Sequence, residues 1–148
     1  MPESQDLVAR ASVRIDAPPE QVWDALVDPA AIEKYMFGAK VTTDWQEGSP
    51  IRWKGEWKGK PYEDKGEVLE IEPSRVLRYS HFSPLSKLPD EPGSYHTVTI
   101  ELEPEPSADG ARTRVSLTQD KNPNEEARRH STENWNAMLR GLKEYVES

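Results

Sequence analysis

The chain has 148 residues, a formal net charge of -8 at neutral pH and no cysteine. This length suits one domain, and the acidity argues against nucleic acid and anionic membranes as partners, since both attract clustered lysine and arginine. The lack of cysteine excludes disulfides and thiolate-bound metals and fits a cytoplasmic location.

The first part of the chain predicts a strand followed by two short helices. Residues 1–6 are polar and lack the apolar core of a signal peptide, so we expect residues 1–7 to be a flexible N-terminus before a single domain. Residues 8–17 alternate between apolar and polar side chains, as a half-buried strand does. Pro18 and Pro19 then open one helix, and Asp28-Pro29 opens a second that ends at Gly38, because proline is tolerated in the first helical turn.

A run of strands with short connections follows. We predict strands over residues 39–45, 51–57, 62–71, 76–82, 96–102 and 113–119, and such consecutive strands pair antiparallel. The apolar period shifts within the third of these, so a bulge is expected near Glu70. The proline-containing residues 83–94 form either a stiff lid or a plain connection, and residues 104–110 are expected to form a polar hairpin loop.

The last segment predicts one long helix over residues 124–146. Trp135, Met138, Leu139 and Leu142 recur with the helical period and form an apolar stripe. Such a helix would be roughly 35 Å long, which is enough to cross a small domain. The stripe needs a partner, and we infer that the sheet receives it. A sheet that grips one helix encloses apolar space, which is where small ligands bind.

These elements occur in the order of a known family. The motifs are residues 18–26, Asp28-Pro29 with the helix through Met36, residues 66–73, residues 77–81, and Asn134-Trp135 in the last helix. Over residues 8–146 the chain resembles the activator of heat shock protein 90 ATPase homologue-like group of the START and birch-pollen-allergen superfamily. The resemblance implies an α+β helix-grip fold, in which a curved antiparallel sheet wraps around a long C-terminal helix and leaves a cavity.

Departures from the family pattern limit what the resemblance implies. Asn134 replaces the glycine of a common Gly-Trp pair, and its amide is expected to face the cavity or to cap a neighbouring carbonyl. The further N-terminal domain through which the eukaryotic co-chaperone binds its chaperone has no counterpart in this sequence, and the glycine-rich loop of the pollen-allergen branch is missing. We therefore expect the fold and the cavity rather than chaperone activation.

The candidate ligand-binding residues lie on the predicted inward face of the sheet or on the helix stripe. They are Trp53, Trp57, Tyr79, His81, His96, Gln119, Trp135, Met138, Leu139 and Leu142. Aromatic residues at these spacings also form ordinary cores, and both interpretations stay open. Tyr79 and Gln119 would either orient a ligand or bond to the backbone of the long helix, and Trp45 is expected at a strand edge.

The histidines and carboxylates give weaker signals. His81 and His96 would meet if their strands pair, and would then be an acid–base pair, a polar contact or two partly exposed strand-end residues. A metal would need Gln119 or Asp120 as a third ligand, and we expect neither metal nor cofactor. His130 is expected to be solvated. The carboxylates and lysines of residues 54–72, Asp64 among them, are interpreted as a solvated sheet face with cross-strand ion pairs.

The function we expect is the binding of a small apolar or aromatic molecule between the sheet and the last helix. One alternative is a chaperone cofactor that binds through its outer surface, which an exposed apolar patch would indicate. Another is an enzyme of the cyclase or hydrolase type that uses Tyr79, His81, His96 and Gln119. A deeply buried histidine or carboxylate with a strongly shifted pKa would indicate the enzyme.

Overall fold

A computed structural model describes residues 8–36, 38–57, 59–82, 95–107, 110–122 and 124–147. The expected flexible N-terminus at residues 1–7 and the proline-containing residues 83–94 lie outside this range. In chain order the elements are β1 (Ala9–Ile15), α1 (Pro19–Leu26), α2 (Pro29–Tyr35), β2 (Lys40–Thr42), β3 (Pro50–Trp57), β4 (Lys60–Glu72), β5 (Val76–His81), β6 (His96–Ser107), β7 (Gly110–Gln119) and α3 (Glu125–Glu147).

Within the described residues, seven strands form one antiparallel sheet in the order β1-β7-β6-β5-β4-β3-β2. Consecutive strands from β2 to β7 are neighbours in the sheet. β1 instead pairs with the last strand, so that Ala9 lies opposite Gln119. With two short helices after β1 and a long helix at the end, the predicted helix-grip fold is confirmed.

The two short helices begin at prolines and are tied to each other. α1 begins at Pro19 and α2 at Pro29, and the Asp28 side chain accepts a hydrogen bond from the Ala30 amide at 3.1 Å. The hydroxyl of Tyr35 in α2 donates to the Ala25 carbonyl of α1 at 3.0 Å. This buried bond holds the helix pair as one unit beside the sheet.

The long helix lies against the inner face of the sheet, as predicted. It starts after Asn124, whose side-chain oxygen accepts a hydrogen bond from the Ala127 amide at 2.8 Å and so caps the helix. α3 contacts β1, β7, α1 and α2, and buries Met138, Leu139, Leu142 and Val146 in the common core. None of the helices in the described part of the chain has the length and apolarity to cross a membrane.

The bulge expected near Glu70 is present in β4. Val68 pairs with Tyr79 and Glu70 pairs with Arg78, so the register shifts by one residue between them. Leu69 occupies this irregular position and is 41% exposed. The extra residue shifts the inward–outward alternation of β4 by one position, so that the residues before and after the bulge both remain paired with β5.

The hairpin loop predicted over residues 104–110 is wrong in its extent. β6 continues to Ser107 and β7 begins at Gly110, so Pro104 and Pro106 lie inside a strand. The β5–β6 ladder ends where Val76 pairs with Glu101, and the Leu102 amide still donates to the Arg75 carbonyl at 2.8 Å. Beyond Leu102, no described strand pairs with this edge of β6. Proline is tolerated at such an edge because its missing N–H removes no ladder bond there.

Candidate functional site

Inward side chains from neighbouring strands line up in rows across the sheet. Tyr79 of β5 lies opposite Val98 of β6, which in turn lies opposite Gln119 of β7. One step nearer the strand ends, His81 lies opposite His96. Cross-strand pairing thus brings together four of the predicted site residues from positions far apart in the sequence.

A small cavity lies between these rows and the helices. Its volume is about 20 Å³, and its walls include Trp53, Tyr79 and Met138 from the predicted set, together with Met36 and Trp45. Such a volume holds about one water molecule, whereas small-molecule sites usually enclose roughly 300 Å³ or more. Aromatic and methionine side chains therefore fill most of the predicted hollow in this structure.

Trp53 joins the cavity to a polar cluster. Its ring centroid lies 5.1 Å from that of Tyr79, which also lines the cavity, and 5.1 Å from that of His81. Trp53 and Tyr79 are both buried, and this burial raises the pKa of Tyr79 well above its usual value. The phenol therefore stays protonated at neutral pH.

Asp64 and His81 form the centre of the polar cluster. His81 Nε2 lies 2.9 Å from Asp64 Oδ2, and the two side chains are 23% and 15% exposed. A carboxylate only accepts, so the ring donates from Nε2. The other carboxylate oxygen, Oδ1, is buried and has no hydrogen-bond partner among the described residues.

The prediction that Asp64 belongs to a solvated face is wrong. Asp64 pairs across the strands with Trp53 and shares its face, while the preceding Glu63 points outward to Arg52, with 3.1 Å between Oε2 and Nη1. The alternation of Tyr62, Asp64 and Gly66 against their charged neighbours carried this signal. The many charges of residues 54–72 conceal this alternation, because most of them lie on the outward face and Asp64 does not.

Gly66 brings β4 close to β5 beside this pair. A Cβ atom at position 66 would lie 1.8 Å from the Ser80 carbonyl oxygen. No side chain fits in that gap, since real Cβ contacts essentially never fall below 3.0 Å. Glycine at position 66 therefore lets β4 and β5 approach closely, beside the contact between Asp64 and His81.

His96 is the second histidine of the cluster. Its Nδ1 lies 2.9 Å from the Asp120 carbonyl oxygen, and its ring centroid lies 6.5 Å from that of His81. Burial lowers the pKa of His96, and the nearby His81 lowers it further, against the raising effect of the Asp120 carbonyl. At neutral pH His96 is therefore uncharged, donates from Nδ1 and keeps an acceptor lone pair on Nε2.

Gln119 and Trp135 connect the sheet to α3. The indole Nε1 of Trp135 donates to Gln119 Oε1. Gln119 is buried, whereas Trp135 is half-buried. The side-chain oxygen of Gln119 is thus satisfied by a side chain of the helix, and not by the helix backbone that one interpretation of the sequence proposed.

Other predicted positions lie outside this assembly. Leu139 and Leu142 are buried in the core and are not in the cavity wall, and the side chain of Trp57 at the end of β3 lies outside the described residues. Asn134 is exposed, so the expectation that it faces the cavity or caps a carbonyl is wrong, while His130 is exposed as predicted.

Trp45 was expected at a strand edge, but it follows the end of β2 and lines the cavity. The predicted strand over residues 39–45 stops at Thr42, and Trp45 has a positive φ of 57° that a regular strand does not allow. Among the described residues, no group of three or more His, Cys, Asp or Glu is placed to hold a metal ion.

A larger groove of about 390 Å³ lies on the surface between α1 and the end of α3. Its walls include Asp24, Asp28 and Tyr145, and it contains none of the predicted site residues. The groove is wide open to solvent and has a mostly polar wall, so it lacks the enclosure typical of small-molecule sites.

Comparison with known proteins supports the resemblance that the motifs suggested. The family model described as Activator of Hsp90 ATPase homolog 1-like protein matches residues 16–147. Among solved structures, the chain is similar to ChR145 from Cytophaga hutchinsonii, with 52% identity, a TM-score of 0.78 and coverage of 95% of this chain and 93% of that one. No curated protein matches the chain.

More distant structures share the fold alone. The protein MLL2253 from Mesorhizobium loti is 23% identical with a TM-score of 0.71, and the match covers 95% of this chain and 96% of that one. The Aha1 dimer from Colwellia psychrerythraea is 19% identical with a TM-score of 0.70 and the same two coverages.

Proposed function

Because the chain belongs to the Activator of Hsp90 ATPase homolog 1-like protein family, we propose that it binds a small apolar or aromatic molecule between the inner sheet face and α3. The carrying observation is that Trp53 lies between an apolar cavity and a polar cluster, with Tyr79 and His81 each 5.1 Å from its ring. Apolar walls with a few fixed polar groups are the usual composition of small-molecule sites.

A ligand requires the cavity to enlarge beyond its 20 Å³. Met36, Met138 and Trp45 are the side chains that would move. Methionine has three rotatable bonds and adapts to irregular shapes, and Met36 and Trp45 are only half-buried and lie outside the regular elements. Displacing them leaves the sheet ladders intact, so the site can open while the fold is kept.

The predicted site residues take distinct roles in this proposal. Trp53, Tyr79 and Trp135 supply flat walls, while Gln119 and the cluster of Asp64, His81 and His96 orient a polar group of the ligand. Leu139 and Leu142 support the wall from the core behind Met138. Three parts of the proposal rest on the sequence pattern alone: the role of Trp57, the single domain and the cytoplasmic location.

The test is a titration of isotope-labelled protein with indole, a neutral aromatic probe, followed by amide NMR. We expect shifts concentrated at Trp53, Tyr79 and Met138. Met138→Phe fills the cavity and should weaken indole binding about tenfold or more, because the larger side chain occupies the space that the ligand needs. Leu69→Ala, on the exposed bulge, is the matched control and should bind like wild type. Shifts scattered over the surface, or equal binding by Met138→Phe, would refute the proposal.

Docking to a chaperone is a second candidate, favoured by the family description. Within the described residues, Leu69 is the large hydrophobic side chain that is exposed, so an apolar docking patch is not found there. Such a partner would have to bind through charged surface. Stimulation of Hsp90 ATPase activity by the purified chain would support this candidate, and no stimulation at saturating concentration would remove it.

A cyclase- or hydrolase-type reaction is a third candidate, favoured by the contact between Asp64 and His81. A carboxylate that holds one imidazole nitrogen leaves the other free to accept a proton. A bound compound is incubated with the protein over hours and its mass is then measured by native mass spectrometry, which distinguishes binding from catalysis. An unchanged compound indicates binding, and conversion that His81→Gln abolishes indicates catalysis.

A further inference from the structure

The polar cluster of Asp64, His81 and His96 beside Trp53 presents hydrogen-bond acceptors. Asp64 Oδ1 is buried and has no partner among the described residues. His81 donates from Nε2 to the other carboxylate oxygen. His96 donates from Nδ1 to the Asp120 carbonyl, which leaves its Nε2 as an acceptor.

A group that complements these acceptors must bring several donors. A buried acceptor without a partner loses its hydration and gains nothing in return, so filling Asp64 Oδ1 recovers free energy. A hydroxyl supplies one donor, whereas an ammonium group supplies three and adds charge attraction to the carboxylate. The carboxylate of Asp64 and the Nε2 acceptor of His96 therefore favour an amine over an alcohol, and the carboxylate repels a second carboxylate.

The surroundings of the cluster also favour a cation. Trp53 pairs directly with Asp64 across the strands, and its ring lies beside His81. Indole is the side chain whose face attracts cations most strongly. Next to His96, Asp120 and Lys121 carry opposite charges and offset each other. The formal net charge of -8 adds a long-range attraction for positive ligands.

We propose that the ligand is a primary amine with an aromatic or apolar body, whose ammonium group binds at Asp64, beside His81 and His96, and whose body packs against Trp53. This inference rests on the proposed function, because Asp64 Oδ1 is closed to solvent and is reached only when the inner face opens. It adds the chemical class of the ligand and the atom that selects it.

The test compares three probes that share a phenylethyl body and differ in the charge of the attached group: 2-phenylethylamine, 2-phenylethanol and 3-phenylpropanoate. Dissociation constants come from amide NMR titrations at neutral pH. We expect the amine to bind about tenfold or more tightly than the alcohol, as one charge-assisted hydrogen bond provides, and the carboxylate to bind most weakly. Equal binding of amine and alcohol would overturn the inference and leave the proposed function standing.

Two variants assign the preference to Asp64. Asp64→Asn keeps the size and removes the charge, and should reduce the preference for the amine to about twofold or less. Glu63→Gln removes a charge from the adjacent outward position and should keep the full preference. A retained preference in Asp64→Asn would overturn the inference.

If Asp64→Asn does not fold, the comparison of amine and alcohol in the wild-type protein still decides. If no probe of any charge shifts the resonances of Trp53 and Tyr79, the proposed function fails and the inference fails with it.

Discussion

Replacement of Trp135 by phenylalanine tests how α3 is fixed to the sheet. The indole Nε1 donates to the Gln119 side chain, which is 8% exposed. Phenylalanine keeps most of the half-buried ring and removes the donor, so the buried amide oxygen loses its partner. Leaving such an acceptor unsatisfied costs about 1–3 kcal/mol. For a chain of this length, each kcal/mol corresponds to roughly 2–4 °C in melting temperature.

The measurement is urea unfolding followed by far-ultraviolet circular dichroism, because tryptophan fluorescence changes with the substitution itself. Asn134→Ala, at the exposed neighbouring position, is the control and should change the free energy of unfolding by about 0.5 kcal/mol or less. A double variant with Gln119→Leu should lose less than the sum of the single variants, since both remove one shared bond. A Trp135→Phe protein as stable as the wild type would refute the account of this contact.

Three further predictions concern the strand approach, the pH dependence and the helix start. Gly66→Ala should lower the free energy of unfolding by about 2–3 kcal/mol in urea, because its Cβ would meet the Ser80 carbonyl oxygen; wild-type stability would contradict this. The free energy of unfolding of the wild type should fall as pH drops below about 6.5, because the lowered pKa of His96 in the folded state makes the unfolded chain bind more protons. The free energy of unfolding of His96→Gln should fall less steeply over the same range. Identical pH profiles of the two proteins would refute this role of His96. Asn124→Ala should cost about 1 kcal/mol by removing the cap at Ala127, and no change in unfolding midpoint would exclude that role.

The elements were predictable because each leaves a periodic pattern in the sequence. Trp135, Met138, Leu139 and Leu142 follow the helical period, and α3 was expected within one residue of its observed bounds. The shift of apolar period around Glu70 likewise located the bulge. These patterns arise from burial of one face, which depends on local spacing and little on the rest of the fold.

Features set by distant elements were not predictable in the same way. Whether Pro104 can sit in a strand depends on where β5 begins, which the sequence around Pro104 does not specify. The volume of the cavity depends on how Met36, Trp45 and Met138 fill it, and composition carries no information on that packing. The contact of Asp64 with His81 needed the strand register as well as the alternation of β4.

The central claim is that the inner face beside α3 binds a small molecule. Native mass spectrometry of the protein purified from its host tests it most directly, with Met138→Phe prepared in parallel. We predict a mass increment on the wild-type protein that is lost on denaturation and is absent from the variant. A single unliganded mass for both proteins, or the same increment on both, would contradict the claim.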